Sequence, residues 1–251
     1  MGKIAFGVDI GGSGIKGAPV DLDTGELTAD RLKISTPNPS TPEAVVAVMA
    51  DLVASFGLDQ DVPIGVAFPA PILHGVIPSV ANLDQSWVGV NLSDLFAKTT
   101  NRTAHVVNDA DAAGFAEVRY GAACAHPGTV AVVTLGTGIG TALVVEGKLW
   151  PNSELGHIII KERDAETWAA SSAKDREELS WKEWAKRLQR YFGEIDRLLH
   201  PDLFVVGGGV SRRHELFLPL LDLPQPIIPA QLRNAAGIAG AAALAADAMG
   251  G

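Results

Sequence analysis

Short apolar runs alternate along the chain with amphipathic stretches, a pattern that predicts a mixed α/β fold. The runs have the length of buried strands and comprise residues 4–8, 64–68, 104–107, 130–135, 158–160 and 203–206. Helical spacing of apolar residues predicts a helix between Thr41 and Gly57 and a longer one from Trp181 to Leu199. A last helix is expected over 234–249, and the polar stretch 161–175 is expected to be mobile.

The first apolar run leads into a glycine-rich segment that we expect to bind phosphate. Glycine allows backbone amides to approach an anion closely, and a cation beside such a turn favours phosphate. The candidate phosphate-binding residues are Asp9, Gly11, Gly12, Ser13, Gly14 and Lys16. Because residues 15–20 continue as strand-like sequence and 23–26 resemble a turn, the segment predicts a strand–glycine turn–strand hairpin.

Two other phosphate-binding motifs are excluded here. The spacing of Gly12, Gly14 and Gly17 fits the dinucleotide-binding fingerprint, but that fingerprint needs a helix directly after the turn. Pro19 disfavours such a helix, so a nicotinamide-dependent oxidoreductase is not expected. The Walker motif is absent because no glycine directly precedes Lys16.

Two later glycine turns extend the pattern. In the second, Thr134–Gly136 takes the place that Asp9–Gly11 has in the first, and the third follows the run 203–206. Their candidate phosphate contacts are Gly136, Thr137, Gly138, Gly208 and Gly209. The repetition predicts a duplicated α/β chain of two lobes with a ligand cleft between them. The small N-terminal lobe is expected over 1–107, with the helix 235–251 packing back on it, and the larger C-terminal lobe over 108–234.

A carboxylate lies where the strand 104–107 gives way to a helix. Asp109 follows Asn108, and Asp111 comes shortly after. Either acid could merely cap the helix. Two carboxylates and an amide exceed what a cap requires, however, and open α/β folds place ligands at this kind of junction. We therefore expect Asp109 to be catalytic.

Two further segments carry polar groups that suit sugar hydroxyls. The loop 79–89 contains Asn82, Asp84 and Trp87, for which the alternative is an Asn-Asp turn with a packing indole. Glu154 and His157 flank a glycine just before the strand 158–160 and could hold vicinal hydroxyls. This pair could also bind a metal ion, although the sequence shows no third ligand in reach.

The polar face of the helix 181–199 carries a stripe of cations. Lys182, Lys186 and Arg190 follow one another at intervals of four residues, with Arg187 adjacent. Most such stripes are solvated helix faces. The alternative is a track that binds a polyanion.

Composition narrows the class of protein. The net charge of −9 argues against general nucleic-acid binding. No apolar run reaches the length of a membrane span, and no leader sequence opens the chain. The single cysteine, Cys124, excludes an internal disulfide and a cysteine-rich zinc site. These features favour the cytoplasm.

Together the motifs predict phosphoryl transfer to a sugar hydroxyl, which requires positioning, charge stabilisation and a base. Asp109 would accept the proton of the primary hydroxyl as that oxygen attacks the terminal phosphoryl group. Glycine-turn amides, Lys16 and Mg²⁺ would hold the phosphates. Asp9 would position Mg²⁺ through water, since this ion keeps much of its hydration.

In order and number, the motifs resemble those of the ROK-family sugar kinases along nearly the whole chain. The motifs are Asp9–Ser13, Asn82-Leu83 with Trp87, Asn108–Ala110, Leu135–Gly140, Glu154–His157 and Val206–Gly209. The resemblance implies an actin-like ATPase (ribonuclease H-like) fold, a hexokinase-type activity on glucose, and Asp109 as the base. The hexose ligands that it implies are Asn82, Asn108, Asp109, Glu154 and His157. It also implies that the turn at Gly207 to Gly209 lies near the nucleotide.

One segment departs from the family pattern. ROK kinases usually follow the Glu-x-Gly-His motif with a cysteine cluster that binds structural zinc and ends in a sugar-binding glutamate. Residues 161–175 contain no cysteine, so zinc is expected to be absent, and Glu166 stands in as the sugar ligand. This short form looks most like the actinobacterial polyphosphate glucokinases, including the polyphosphate/ATP-glucomannokinase type. It therefore implies polyphosphate or ATP as donor, and glucose or mannose as acceptor.

Two alternatives stay open. A strictly ATP-dependent ROK kinase could act on another hexose or an N-acetyl amino sugar, because loop shape decides the sugar. A non-catalytic sugar sensor is the second alternative. ROK repressors carry a DNA-binding domain before the kinase-like body, whereas this acidic chain starts three residues before its first predicted strand. Either a monomer or a homodimer fits the sequence.

Overall fold

A computed structural model describes residues 3–81 and 83–250, so the expected sugar ligand Asn82 lies outside the described residues. The strands are β1 (Ile4–Gly11), β2 (Gly14–Asp21), β3 (Leu32–Ile34), β4 (Ile64–Phe68), β5 (His105–Asn108), β6 (Thr129–Leu135), β7 (Ile139–Val145), β8 (Lys148–Trp150), β9 (Ile159–Ile160), β10 (Arg163–Asp164), β11 (Leu203–Gly207) and β12 (Ile227–Pro229). The α-helices are α1 (Pro42–Ala54), α2 (Leu92–Thr100), α3 (Asp109–Arg119), α4 (Ala165–Ala169), α5 (Ser171–Arg176), α6 (Trp181–Leu199) and α7 (Ala236–Gly250). Among these described helices, none combines the length and the apolar character that a membrane crossing needs.

The chain forms two compact units that are connected at two points. Unit 1 contains the residues up to Ala116 together with those from Asn234 onward, and unit 2 spans Glu117–Arg233. The first connection therefore lies inside α3. The boundary expected from the sequence, between residues 107 and 108, lies before this helix begins. The start of α3 packs against α7 within unit 1. A Cβ atom on Gly240 would come within 1.8 Å of the Ala112 carbonyl oxygen, so only glycine allows this backbone contact.

The two units contain five-stranded sheets of the same topology. The strand order is β3-β2-β1-β4-β5 in unit 1 and β8-β7-β6-β11-β12 in unit 2. In each sheet the central strand pairs antiparallel with the strand that follows it and parallel with the strand on its other side. Glycine turns join the antiparallel pairs, β1 with β2 and β6 with β7. The predicted duplication of a strand–glycine turn–strand hairpin is thus confirmed.

The long amphipathic helix α6 supplies much of the core of unit 2. Its side chains of Trp184, Tyr191 and Phe192 are fully buried. The Phe192 ring packs edge-on against Phe204 of β11 at 5.3 Å between centroids, and the Trp184 ring lies 4.9 Å from Phe217. The apolar face predicted from the sequence is therefore the face that covers the sheet.

The polar stretch 161–175 is ordered, so the expectation that it is mobile was wrong. β9 and β10 form a hairpin whose two turn residues, Lys161 and Glu162, both have positive φ angles of 51° and 62°. Positive φ at both positions is the geometry of a two-residue type I′ turn, which glycine and asparagine usually provide. Helices α4 and α5 follow directly. The sequence lacks the usual turn residues, which is why the hairpin escaped prediction.

One buried carboxylate joins the two ends of unit 2. The side chain of Glu117 is 2% exposed and accepts hydrogen bonds from the backbone N–H groups of Ala122, Gln231 and Leu232. The distances from these nitrogen atoms to the carboxylate oxygens are 2.9, 3.0 and 2.7 Å, respectively. The segments that lead into and out of unit 2 are therefore held by a single side chain.

Replacing Glu117 with alanine should lower the free energy of unfolding by about 3 kcal/mol, because three backbone N–H donors lose their shared acceptor. Urea unfolding of the purified variant measures this loss. Glu43→Ala is the matched control, since Glu43 is exposed in the first turn of α1 and its removal should cost less than about 1 kcal/mol. Equal losses in the two variants would contradict the role of Glu117.

Candidate active site

The glycine hairpin of unit 1 presents a tight turn beside an ion pair. The turn consists of Gly12 and Ser13, and both residues are exposed. Asp9 and Lys16 lie opposite each other in the hairpin, with 3.1 Å between the Asp9 Oδ2 and Lys16 Nζ atoms. Exposed backbone amides next to a lysine form a site that suits a phosphate group.

Asp109 lies at the same edge of this sheet as the hairpin turn. β1, β4 and β5 are parallel, with Asp9 opposite Ala67 and Ala67 opposite Val107. The carboxyl ends of these strands are therefore aligned. The sheet register brings the first glycine turn and the start of α3 to one edge, as expected for a ligand site in an α/β unit.

Asn108 is the residue that caps α3. Its Oδ1 atom accepts hydrogen bonds from the N–H groups of Ala110 and Asp111, at 2.9 and 3.1 Å. Asp109 Oδ1 also accepts from the Ala110 N–H group, at 2.8 Å. Because Asn108 serves as the cap, capping alone does not account for the acid that follows it. Because the Oδ1 atom already accepts two hydrogen bonds, any contact of Asn108 with a sugar would be made by its NH₂ group.

The second glycine turn is packed against Glu166. The Glu166 Oε2 atom accepts a hydrogen bond from the Ile139 N–H group at 3.0 Å, and a Cβ on Gly138 would come within 2.1 Å of the same oxygen. A side chain at position 138 would therefore displace this carboxylate from its place. Ser172 closes the turn from the other side, since its hydroxyl donates to the Thr137 carbonyl at 2.5 Å.

Glu154 and His157 are held by a loop that is tied to β7. The Thr141 hydroxyl is buried, accepts from the Leu155 N–H group at 3.0 Å and donates to the Ser153 carbonyl. His157 Nε2 lies 3.9 Å from Glu154 Oε2. The two side chains expected to hold a sugar are therefore neighbours.

His157 is surrounded by three acids. Its Nδ1 atom lies 2.8 Å from Asp164 Oδ2. The hydrogen bond to Asp164 is the largest cause that raises the pKa of His157. Burial of the ring lowers this pKa, and the charges of Asp164, Glu166 and Glu154 raise it further. Burial raises the pKa of Glu154, the positive charge of His157 opposes this shift, and the charge of Glu166 adds to it.

The acids beside His157 also bear on whether this part of unit 2 could bind a metal ion. The sequence offered no third ligand for the Glu154–His157 pair, whereas the structure brings single ligand atoms of His157, Asp164 and Glu166 within 4.8 Å of one another. Such a group could hold a cation. The hydrogen bonds of Asp164 explain this closeness without one.

The third glycine turn follows β11. Because β11 runs parallel to β6, with Gly207 opposite Thr134, the second and third turns lie at the same edge of the unit 2 sheet. Gly208 has a φ angle of 83°, and its carbonyl accepts a hydrogen bond from the Ser211 hydroxyl at 2.8 Å. The cations Arg212 and Arg213, which follow this turn, are exposed.

The cationic stripe of α6 is smaller than the sequence indicated. Lys182, Lys186 and Arg190 are exposed. Arg187 instead forms an ion pair with Glu177, at 2.5 Å between Nη2 and Oε2. Three cations are therefore available to a ligand on this face.

Trp87 is a packing residue and not a sugar contact. Its ring is fully buried 4.8 Å from that of Phe68, and its Nε1–H group donates to the Ser40 carbonyl at 2.8 Å. The alternative of a packing indole was therefore correct. Of the polar residues in this loop, Asp84 accepts hydrogen bonds from the N–H and hydroxyl groups of Ser86, and Asn82 lies outside the described residues.

Two residues that order the site were missed from the sequence. Ser172 contacts the second glycine turn, and Asp164 contacts both His157 and Glu166. A signal for Asp164 was present, because an aspartate before Ala-Glu is a typical helix start. No sequence signal marked Ser172.

Comparison with known proteins identifies the family. Residues 5–174 match the ROK family. The polyphosphate glucokinase of Mycobacterium tuberculosis is 47% identical over 238 residues, which cover 94% of this chain and 89% of that protein. The crystal structure of the inorganic polyphosphate/ATP-glucomannokinase from Arthrobacter sp. strain KM is 49% identical, with a TM-score of 0.89 and coverage of 98% of this chain and 99% of that one. A ROK family glucokinase from Streptomyces griseus, solved with glucose and AMPPNP, is 26% identical, with a TM-score of 0.80 and coverage of 97% and 99%.

The similarity extends over both units. The family match includes the part of unit 1 that precedes unit 2 in the chain, and the part of unit 2 that carries the second glycine turn and the Glu154–His157 pair. The mixed α/β architecture with its two sheets is the actin-like ATPase fold of these sugar kinases, as the sequence resemblance implied. The chain therefore belongs to the ROK family.

Proposed function

We propose that this chain is a glucokinase that transfers the terminal phosphoryl group of inorganic polyphosphate or ATP to the 6-hydroxyl of glucose, and that it also accepts mannose. The observation that carries the proposal is the 47% identity with a polyphosphate glucokinase over 94% of the chain. The chemistry of the chain agrees with it, since it carries glycine turns that suit phosphate, a strand-end carboxylate and acids suited to sugar hydroxyls.

In the proposed mechanism Asp109 is the general base. The sugar 6-oxygen forms a bond to the terminal phosphorus, the bond from phosphorus to the bridging oxygen of the donor breaks, and the hydroxyl proton passes to the Asp109 carboxylate. The place of Asp109 as the first residue of α3 supports this role. The positive end of the helix stabilises the ionised carboxylate that must accept the proton.

The donor phosphates are bound by the glycine turns, with Lys16 adding a positive charge. Asp9 is the residue that would hold Mg²⁺, because its carboxylate is partly accessible beside the turn and oxygen is the ligand that this ion prefers. When bound, Mg²⁺ neutralises charge on the phosphates. In unit 2 the residues that we assign to phosphate binding are Gly136, Thr137, Gly138, Gly208 and Gly209. No zinc enters the proposal.

The sugar ligands of unit 2 are Glu154, His157 and Glu166. Carboxylate oxygens accept hydrogen bonds from hydroxyls in defined directions, and the imidazole adds a group that can donate or accept. From unit 1 we assign Asn82 and Asn108 to the sugar in addition to Asp109. The substrates are the partners that this function requires, and we expect it to operate in the cytoplasm, without nucleic acid or membrane, as a monomer or homodimer.

The exposed α6 stripe of Lys182, Lys186 and Arg190 is our candidate track for the polyphosphate chain beyond the reacting phosphate. A polyphosphate chain that extends beyond the reacting phosphate needs several cations along its path, whereas ATP has only three phosphates. The contribution of the stripe should therefore depend on the donor. Nearby acids weaken the track, since Glu183 lies within electrostatic reach of Lys186 and Glu194 within reach of Arg190.

The first test is formation of glucose 6-phosphate by the purified protein with Mg²⁺ and a single donor. We expect product with polyphosphate alone and with ATP alone. Product with ATP alone would reduce the proposal to an ATP-dependent kinase. Failure with both donors, on glucose and on mannose, would overturn it and favour another sugar or a sensor.

Asp109→Asn should lower turnover roughly 10²–10⁴-fold, the usual range for a positioned base. Glucose affinity, measured by the change in tryptophan fluorescence, should stay close to that of the wild type. Asp94→Asn is the control, because Asp94 is an exposed acid in the first turn of another helix, α2. Unchanged turnover in Asp109→Asn would remove this residue from its role.

Lys186→Glu should raise the apparent KM for polyphosphate about tenfold or more and leave the apparent KM for ATP unchanged, because it reverses the central charge of the stripe. The effect should weaken as ionic strength rises. Lys98→Glu on α2 is the matched control, since Lys98 is also an exposed helix lysine. Equal loss with both donors would contradict the polyphosphate track.

A further inference from the structure

We infer that Asp164 is the positioning residue of the sugar-binding group: it fixes which ring nitrogen of His157 meets the sugar and anchors the segment that carries Glu166. The inference rests on the proposed function for the roles of His157 and Glu166 as sugar ligands. Asp164 itself is not a catalytic residue, because its two oxygens are engaged with protein groups.

The two oxygens of the Asp164 carboxylate contact two different site residues. Oδ2 lies 2.8 Å from His157 Nδ1, and Oδ1 accepts a hydrogen bond from the Glu166 N–H group at 3.0 Å. Glu166 is fixed at its other end by the bond from the Ile139 N–H group to Oε2. One carboxylate thus links the histidine to a glutamate that already touches the second glycine turn.

The position of Asp164 is set by backbone interactions that do not involve His157. Asp164 pairs with Ile159 across the β9–β10 hairpin, and the Ala165 N–H group donates to the Ile158 carbonyl at 3.0 Å. The Thr167 hydroxyl donates to the Asp164 carbonyl at 2.8 Å. The backbone of Asp164 and one of its carboxylate oxygens are therefore held without His157, as expected of a positioning group.

The consequence for His157 is a defined tautomer. A carboxylate at Nδ1 keeps the proton on that nitrogen, so Nε2 is the atom left to face a ligand. Nε2 then accepts a hydrogen bond when the ring is neutral and donates one when it is charged. The His157 side chain is 54% exposed, so packing restricts its orientation less than it would for a buried ring, and the bond to Asp164 matters more.

The charge state of His157 follows from the groups that face it. Asp164, Glu154 and Glu166 are all acids, and together they raise the pKa of His157. A raised pKa means that the folded protein favours the charged ring, so this stabilisation is present below the ordinary pKa of 6.5 and is lost as pH rises through the higher folded value. Removing the Asp164 carboxylate should therefore bring the pKa of His157 down.

The experiment compares Asp164→Ala and Asp164→Asn with wild type by ¹⁵N NMR of histidine-labelled protein, with His157→Gln to assign the signal. EDTA-treated samples exclude a metal ion as the cause of any shift. In wild type above the pKa, we expect the proton on Nδ1. Asp164→Ala should lose this preference and lower the pKa, whereas Asp164→Asn should keep the tautomer, because its amide oxygen can accept the same bond.

Kinetics supply the second measurement, with the donor at saturation. Asp164→Ala should raise the apparent KM for glucose about tenfold, as loss of an outer partner of a binding group commonly does, and change kcat much less. Asp164→Asn should fall between wild type and Asp164→Ala. Ser180→Ala is the control for a lost helix cap in unit 2: the Ser180 hydroxyl caps α6, so its loss should lower the thermal midpoint without changing the glucose KM.

The outcomes separate this inference from the proposed function. An unchanged His157 tautomer in Asp164→Ala overturns the inference, and so does a changed tautomer with an unchanged glucose KM. If wild type forms no glucose 6-phosphate with either donor, the proposed function fails. In that event the NMR comparison alone decides whether Asp164 orients His157.

Discussion

Buried strands of a sheet covered on both faces carry apolar side chains, so the polar groups of a site have to be placed where the strands end. In unit 1 the parallel alignment of β1, β4 and β5 brings the first glycine turn and Asp109 to one edge. In unit 2 the parallel pair of β6 and β11 does the same for the second and third glycine turns. The sheet register is therefore the constraint on which the site depends.

The same topology serves different chemistry in the two units. The first hairpin has a two-residue turn beside the Asp9–Lys16 ion pair. The second has Thr134 where the first has Asp9, and its turn is occupied by Glu166 and closed by Ser172. Duplication thus repeats the backbone scaffold, while the side chains near each turn differ: an ion pair lies beside the first turn, and an acid and a serine contact the second.

The acids around His157 depend on a short segment with few apolar residues. The β9–β10 hairpin uses a lysine and a glutamate at positions with positive φ, and neither residue favours that conformation. The hairpin is nevertheless held by its strand pairing and by the start of α4. The hairpin places Asp164 between His157 and Glu166. A turn that is locally unfavourable therefore positions a residue of the candidate site.

The sequence by itself determined the α/β class, the duplicated glycine hairpins, the helix α6 and the place of Asp109 at a strand end, because periodicity and glycine turns are local properties of the chain. It also carried the ordered motifs of the ROK family. Only the tertiary structure decided that Trp87 is buried, that Asn108 caps α3, and that Asp164 contacts His157. The burial of Trp87 depends on distant residues, since its indole N–H group bonds to the Ser40 carbonyl. The Asn108 and Asp164 contacts join residues that are close in the chain, but side-chain hydrogen bonds of this kind leave no periodic pattern in the sequence.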